Sequence, residues 1–131
     1  ITSHISVYKL AGLKIASIAA LIEAITAIAK ELNLEVLNGH IYDYTHHKVR
    51  CDVGLRGIGI ELGIGFTRDK DGNVNVIGDA AMQYQFSKIA EVAKNYINAT
   101  QVAQRAKQQN PFATTKITIK EKKAILEVQV P

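Results

Sequence analysis

Residues 48–76, KVRCDVGLRGIGIELGIGFTRDKDGNVNV, decide the fold because their apolar side chains recur at every second position. This is the period of a β-strand whose two sides meet different surroundings. We predict a first strand from Lys48 to Arg56, whose apolar side comprises Val49, Cys51, Val53 and Leu55. A hairpin turn at Asp71-Gly72 leads into a strand that carries Val74 and Val76. The stretch therefore predicts a run of antiparallel strands.

The middle strand of this stretch, GIGIELGIGFT, has an apolar side and a glycine side. The predicted apolar side comprises Ile58, Ile60, Leu62, Ile64 and Phe66, and the glycine side comprises Gly57, Gly59, Gly63 and Gly65. Glycines within a strand usually mark a bulge or the close approach of another segment. No helix pattern follows the Gly-x-Gly string, as a dinucleotide-binding turn would require, so a phosphate site is not predicted.

A helix is predicted upstream of these strands, from Ala16 to Leu32. Its apolar residues recur at spacings of three and four and comprise Ile18, Leu21, Ile22, Ile25, Ile28, Ala29 and Leu32. A second face carries Ala20, Ala24 and Ala27. This alanine face either packs inside the protein, where the glycine side of the central strand would fit it, or contacts another subunit. The apolar run is too short to predict a membrane span.

The remaining elements complete an α+β pattern. An opening strand is predicted at Ser3–Lys9 and ends at Gly12, and short strands are predicted at Glu35–Leu37 and His40–Tyr44. A long helical region, capped by Asp79, runs from Ala80 to about Gln109, either as one kinked helix or as two. A closing hairpin has its loop at Lys120-Glu121-Lys122-Lys123. We predict a single α+β domain over residues 1–131, in the order β-α-β-β-β-α-β-β, with a mainly antiparallel sheet and the helices on one face.

The positive charge is concentrated in the C-terminal third of the chain. Residues 83–131 contain eight Lys/Arg and three Asp/Glu, whereas the whole chain has a net charge of +4. Nucleic-acid binding needs such charges on one face, and the candidates are Lys107, Lys116, Lys120, Lys122 and Lys123. Few aromatic residues accompany them, although stacking on bases would require these. A solvated basic face is the alternative interpretation.

The stretch GHIYDYTHHKVRCD, residues 39–52, concentrates side chains that could carry chemistry. A metal hypothesis would use His40, His46, His47 and Cys51, although their spacing matches no established zinc pattern. The competing interpretation is a polar turn from Tyr44 to Lys48, with Cys51 on an apolar face. A lone cysteine cannot form an internal disulfide, which favours a cytoplasmic location. We predict no catalytic residues and no cofactor.

Several local strings resemble the family called domain of unknown function 1257, which includes small reading frames of chloroplast and cyanobacterial genomes with bacterial and archaeal relatives. The similar strings are SHISVYK, RCDVGL and IELGIGFTRDKDGNVNVIGD, and the most specific residues are Ser3-His4, Ile64-Gly65-Phe66, Asp71-Gly72 and Asp79. This chain differs in having no tryptophan and in having Lys122-Lys123 at its last turn. The resemblance implies an intracellular protein, and the neighbourhood of bacterial relatives to AAA-type ATPase genes implies an accessory role.

The favoured function is therefore a non-enzymatic one that works through protein–protein contacts. The protein is expected to be either an accessory subunit of an AAA-type ATPase system or a homo-oligomer, without membrane association. The predicted contact residues are Ala20, Ala24, Ala27, Gly57, Gly59, Gly63 and Gly65. Nucleic-acid association through the basic C-terminal third is the alternative, and metal binding is a third hypothesis.

Overall fold

A computed structural model describes residues 5–131, apart from the side chain of Ala11. Its elements are β1 (Ser6–Lys14), α1 (Ile18–Leu32), β2 (Glu35–Leu37), β3 (His40–Tyr42), β4 (Lys48–Arg50), β5 (Val53–Gly57), β6 (Ile60–Arg68), β7 (Asn73–Gly78), α2 (Phe86–Gln109), β8 (Thr114–Lys120) and β9 (Lys123–Gln129). Every strand pair in this described part is antiparallel, which confirms the predicted α+β class. The predicted order contained too few strands between the helices. It omitted the short strands β2 and β3, and it counted as one strand the segment that the break near Cys51 divides into β4 and β5.

The main sheet has five strands in the order β1-β7-β6-β5-β2. Strands β5, β6 and β7 are successive antiparallel neighbours, so the predicted meander is confirmed. Both helices pack on one face of this sheet, as predicted, around fully buried side chains such as Ile25, Ile64 and Ile97. Ser17 caps α1 by accepting a hydrogen bond from the Ala20 N–H at 3.0 Å, and Asn33 ends it at a φ of 55°. The alternation and the capping residues together explain why these elements form where they do.

The opposite face of the sheet is covered by a small hairpin, β3–β4. Its Ile41 is fully buried and belongs to a second, smaller apolar cluster with Leu37, Cys51 and Ile77. The central strands of the main sheet are therefore covered on both faces, by two helices on one side and by a two-stranded flap on the other, whereas Val7 on the edge strand β1 is exposed.

The prediction of one strand from Lys48 to Arg56 was wrong. The chain bends at Cys51–Asp52, so Cys51 joins the small cluster under the flap whereas Val53 and Leu55 face the helices. The bend is held by distant partners: the Asp52 N–H donates to the Phe66 carbonyl at 3.1 Å, and the Arg68 N–H donates to Asp52 Oδ2 at 2.8 Å. These partners lie across the sheet, so the local alternation did not reveal the break.

The prediction that Gly12 ends the first strand was also wrong. Strand β1 continues to Lys14, with an irregular register between Lys9 and Lys14. Gly12 takes a φ of 72°, a value that glycine adopts without strain, and it forms a bulge instead of a break. Ser3 and His4, which were predicted to begin this strand, lie outside the described residues.

Helix α2 begins six residues later than predicted. Asp79 does not cap it: residues 79–85 form an irregular loop, and Gln85 stands at the N-terminus without a side-chain capping bond. From Phe86 to Gln109 the helix is continuous, so the single-helix alternative is the observed one. Neither helix of the described chain combines the length and the apolarity that crossing a membrane would require.

Candidate functional site

The stretch with three histidines forms the β3–β4 hairpin and its turn. The buried Asp43 carboxylate organises this turn, because its Oδ1 accepts hydrogen bonds from the N–H groups of Thr45 at 2.9 Å and His47 at 3.0 Å. The Thr45 hydroxyl lies 2.6 Å from the same oxygen and 2.7 Å from His47 Nδ1. His46 occupies the left-handed region at a φ of 66°. These contacts are those of a tight polar turn, as the competing interpretation predicted.

The structure does not bring the four proposed metal ligands together. The His40 ring packs edge-on against Tyr42 with centroids 5.2 Å apart, and its Nε2 lies 3.2 Å from the Tyr42 hydroxyl. Cys51 faces the sheet instead, beside Gly65. Among the described residues, no three His, Cys, Asp or Glu side chains converge as a metal site would require.

Cys51 is placed as a core residue. Its side chain is buried beneath the flap, and burial, reinforced by the nearby Asp52 carboxylate, raises the pKa of the thiol to about 11. The thiol is therefore protonated at neutral pH, whereas nucleophilic cysteines act as thiolates. Cys51 therefore shares the small cluster with Val49, whereas Val53 and Leu55 lie in the main core.

The predicted glycine surface is not a surface. Gly63 and Gly65 face the small cluster, where an added Cβ atom would stand 3.0 Å from Leu37 Cδ1 and 2.9 Å from Cys51 Cβ, respectively. Gly57 faces Leu34, and Gly59 lies against Gln85. The four glycines therefore do not share one side, because Gly57 ends β5 and Gly59 lies in the following turn, whereas Gly63 and Gly65 belong to β6. They admit close neighbours from within the chain, and the expectation that they pack against the alanines of α1 was wrong.

The alanine face of α1 lines a groove between the two helices. Ala24 is buried, whereas Ala20 and Ala27 are half-buried in a groove of about 250 Å³ shared with α2 residues such as Tyr96. Burial raises the pKa of the Tyr96 phenol, and the carboxylates of Glu31 and Glu23 raise it further. The contact role of these alanines remains a prediction.

The candidate lysines divide between two settings. Lys116, Lys120 and Lys123 lie on the outer face of the β8–β9 hairpin, where Lys120 pairs with Lys123 and Lys116 pairs with Glu127. Lys122 lies 3.7 Å from the Glu91 carboxylate, and Lys107 lies in the last turn of α2. Three of the five lysines therefore gather on one exposed face, which Glu127 shares.

A surface that the sequence did not predict lies at one end of the main sheet. Ile58, in the β5–β6 turn, is 90% exposed, and Tyr84, in the loop before α2, is 97% exposed. The two loops touch, because the Gln85 N–H donates to the Gly59 carbonyl at 3.2 Å. Met82, which belongs to the same loop as Tyr84, is 58% exposed. We call Ile58, Met82 and Tyr84 the apolar tip.

The β5–β6 turn that presents Ile58 is well ordered by its own contacts. Gly59 adopts a φ of 85°, and its N–H donates to Glu61 Oε1 at 3.0 Å. This hydrogen bond lowers the pKa of the Glu61 carboxyl. Ile58 therefore lies in a turn whose backbone is fixed by this hydrogen bond.

Beneath the apolar tip, the loop of residues 79–85 buries polar side chains. Asp79 and Gln83 are only 2% and 4% exposed. The Gln83 amide donates to the carbonyls of Gly63 at 3.1 Å and Asp79 at 3.2 Å. Asp79 Oδ1 and Gln83 Oε1 accept no hydrogen bond from the described residues. This loop therefore exposes its large apolar side chains and buries its polar ones, the reverse of the usual distribution.

Sequence patterns could not reveal the apolar tip. Ile58 continues the alternation of Ile60 and Ile64, so it was predicted to face the core, but it lies in the turn that precedes β6. Residues 80–85 were predicted to be helical, and exposure in an irregular loop has no periodic signal. The one local hint is that glycines flank Ile58 on both sides.

Comparisons of the chain with protein-family models, with curated proteins and with solved structures found no match.

Proposed function

We propose that this protein acts by binding another protein, and that the apolar tip is its contact surface. The observation that carries the proposal is the exposure of Ile58 and Tyr84 on two touching loops. Buried tyrosines contribute a large contact area at interfaces, and they are enriched among the residues that dominate binding energies. Large apolar side chains that gather on the surface of a folded domain often mark association.

The shape of the apolar tip indicates what kind of partner it fits. Tyr84 projects from the molecule, so the partner must supply a concave site for it, whereas Ile58 also borders shallow grooves beside Leu34 and Arg56. Charged groups surround the tip without one dominant sign: Lys88 stands on the first turn of α2, and Arg56 pairs with Glu35 at 2.7 Å. We infer a folded protein with an apolar pocket and a mixed polar rim.

The loop that carries Tyr84 adds a second argument. It exposes Met82 and Tyr84 while it buries Asp79 and Gln83, so its large apolar side chains are the ones that a partner would cover. The resemblance to the family described above suggests an AAA-type ATPase subunit as one such partner.

The test compares three forms of the tagged protein in pull-downs from native lysate of the source cells. The Ile58→Ser/Tyr84→Ser variant alters only exposed side chains, so its fold should be intact, which circular dichroism can check. Ile18→Ser is the matched control, since Ile18 is a large exposed residue on α1, away from the tip. Any protein retained by the wild type and by the control is then purified and its Kd measured.

We expect the double variant to bind that partner at least about 30-fold more weakly, the loss typical of a dominant interface residue. Unchanged affinity in the double variant, or no retained protein with the wild type, would contradict the proposal.

Nucleic-acid binding is a second candidate because Lys116, Lys120 and Lys123 share one exposed face of the β8–β9 hairpin. Fluorescence anisotropy with labelled duplex DNA and single-stranded RNA, repeated over a salt series, tests it. Replacing the three lysines by glutamine should abolish binding, and wild-type affinity should fall steeply with salt. Binding that is absent at low salt would exclude this candidate.

A further inference from the structure

The C-terminal hairpin is a separate two-stranded sheet. Strands β8 and β9 pair without irregularity over seven residues each, from Thr114↔Gln129 to Lys120↔Lys123. One face of the hairpin packs on α2, and no other strand of the described chain pairs with either edge. A regular strand edge of this length is normally protected against pairing with other chains.

The two edges of the hairpin differ in this protection. On its outer face β8 carries Lys116 and Lys120. If β8 paired with β8 of a second copy, that face would hold four lysines and no acidic side chain. Lysines of this kind guard edges in natural sheets. Strand β9 carries Lys123 and Glu127 on the same face, and it is the more exposed of the two strands. Because β9 carries one charge of each sign, a second copy of β9 would not meet charges of one sign only.

An apolar groove runs beside the β9 strand. It measures about 430 Å³ and lies between α2 and β9, with Val102, Ala124 and Leu126 in its lining. Val102 is 45% exposed and Val128, which follows on the same face of β9, is 42% exposed. A further strand beside β9 would cover these side chains.

We propose that β9 pairs with β9 of a second copy of this chain, antiparallel and centred on Leu126. The four strands would then form one sheet in the order β8-β9-β9-β8, lying across both α2 helices. This is a closed two-fold arrangement, in which the same surface is used twice. The proposal concerns a surface distinct from the apolar tip and does not rest on it.

The backbone of β9 presents the groups that this pairing needs. Lys120 and Lys123 flank a two-residue loop, and residues in that position bond to each other across a hairpin. Because bonded and non-bonded positions alternate along an antiparallel pair, the N–H and C=O groups of Ala124, Leu126 and Val128 point away from β8. Centred pairing joins Leu126 to its copy and Ala124 to Val128, with about six new hydrogen bonds.

The charges of β9 favour a second copy over an unrelated strand. In the centred register, Lys123 of one copy lies diagonal to Glu127 of the other, and this happens twice by symmetry. No like charges stand directly opposite, because Lys123 faces Gln129 and Glu127 faces Ile125. Opposite charges at neighbouring positions stabilise paired strands. On the inner face, Ala124, Leu126 and Val128 form a continuous apolar row over the two Val102 side chains.

The first test is the oligomeric state of the full chain at about 100 µM, a concentration that saturates an interface with micromolar Kd. Sedimentation velocity should show a dimer for the wild type and a monomer for Val128→Pro, which removes an N–H of the free edge and none of the β8–β9 bonds. Val128→Thr keeps both the N–H and the shape and should stay dimeric. A monomeric wild type, or a Val128→Pro protein that remains dimeric, would overturn the proposal.

Cross-linking provides a second test that does not depend on proline. Leu126→Cys places two cysteines at the two-fold axis, where mild oxidation should yield a covalent dimer, whereas Thr118→Cys on β8 should not. The native Cys51 is buried and does not compete. Equal cross-linking of both variants would refute the centred β9 register. Adding Ile58→Ser and Tyr84→Ser to the Leu126→Cys protein should leave the yield of covalent dimer unchanged. This comparison separates the present proposal from the one about the apolar tip.

Discussion

Gly65 lies where β6 passes beneath the β3–β4 flap. An added Cβ atom would stand 2.9 Å from Cys51 Cβ and 2.9 Å from Ile77 Cγ1, and both neighbours are buried. We therefore expect Gly65→Ala to lower the free energy of unfolding by about 1–3 kcal/mol, the cost of overpacking a tight core. Urea denaturation measures this loss. Gly57→Ala is the control, because its closest neighbour is the end of the flexible Leu34 side chain, and an equal loss there would contradict the packing argument.

Asp69 organises the β6–β7 turn through its carboxylate. Its Oδ1 accepts hydrogen bonds from the N–H groups of Asp71 and Asn73, both at 2.9 Å. Partial burial alone would raise the pKa of this carboxyl, but the bonds from Asn73 outweigh it and the pKa is lowered. A lowered pKa adds stability above the unfolded value of about 3.9, and this stability is lost as the pH falls further. The free energy of unfolding, measured from pH 7 to pH 3, should consequently fall less in Asp69→Asn than in the wild type. Parallel curves would show that the carboxylate is not responsible.

At the scale of the element, the β8–β9 hairpin contains an unfavourable turn. Glu121 is the first residue of its two-residue loop and takes a φ of 59°. Glycine is the residue preferred there, since a Cβ atom in this region costs about 1–2 kcal/mol. We expect Glu121→Gly to raise the free energy of unfolding by about 1 kcal/mol, as measured by urea denaturation. Glu121→Gln, which removes the charge but keeps the side chain, is the control and should give no gain.

Elements with a complete local signal were predicted from the sequence. Helix α1 combines an apolar period with Ser17 and Asn33 at its ends, and β6 and β7 flank an Asp-Gly turn. The break at Cys51–Asp52 was not predictable, because it depends on hydrogen bonds from Asp52 to Phe66 and from Arg68 to Asp52 across the sheet. The loop of residues 80–85 was mistaken for helix, since its alanine-containing sequence has a helical composition, but its Gln83 amide donates to the Gly63 carbonyl of the central strand β6.

At the scale of the whole molecule, faces were harder to predict than elements. The glycines of β6 and the alanines of α1 were expected to meet, yet they lie on opposite faces of the main sheet. Alternation fixes which residues share a side but not which neighbour covers that side. For the same reason, the apolar tip could be recognised only in the complete fold. Ile58 keeps the period of β6 but lies in the turn before that strand begins.

The two faces of the sheet should also differ in stability. The main core joins both helices to the sheet, whereas the flap is held by the small cluster around Ile41 and Cys51. Regions with few buried contacts open at lower free energy than the whole fold. We therefore expect Cys51 to react with a thiol reagent at a rate that hardly changes at low urea, because flap opening exposes little surface.

Two variants separate flap opening from global unfolding. Ile41→Val weakens the flap and should accelerate labelling of Cys51 by about fivefold, the effect of losing about 1 kcal/mol. Ile25→Val weakens the main core by a similar amount and should leave the labelling rate at low urea unchanged, although it lowers the urea midpoint. The contradicting result is that both variants accelerate labelling of Cys51 equally, with a labelling rate that depends on urea as global unfolding does. That result would show that the flap and the main core form one cooperative unit.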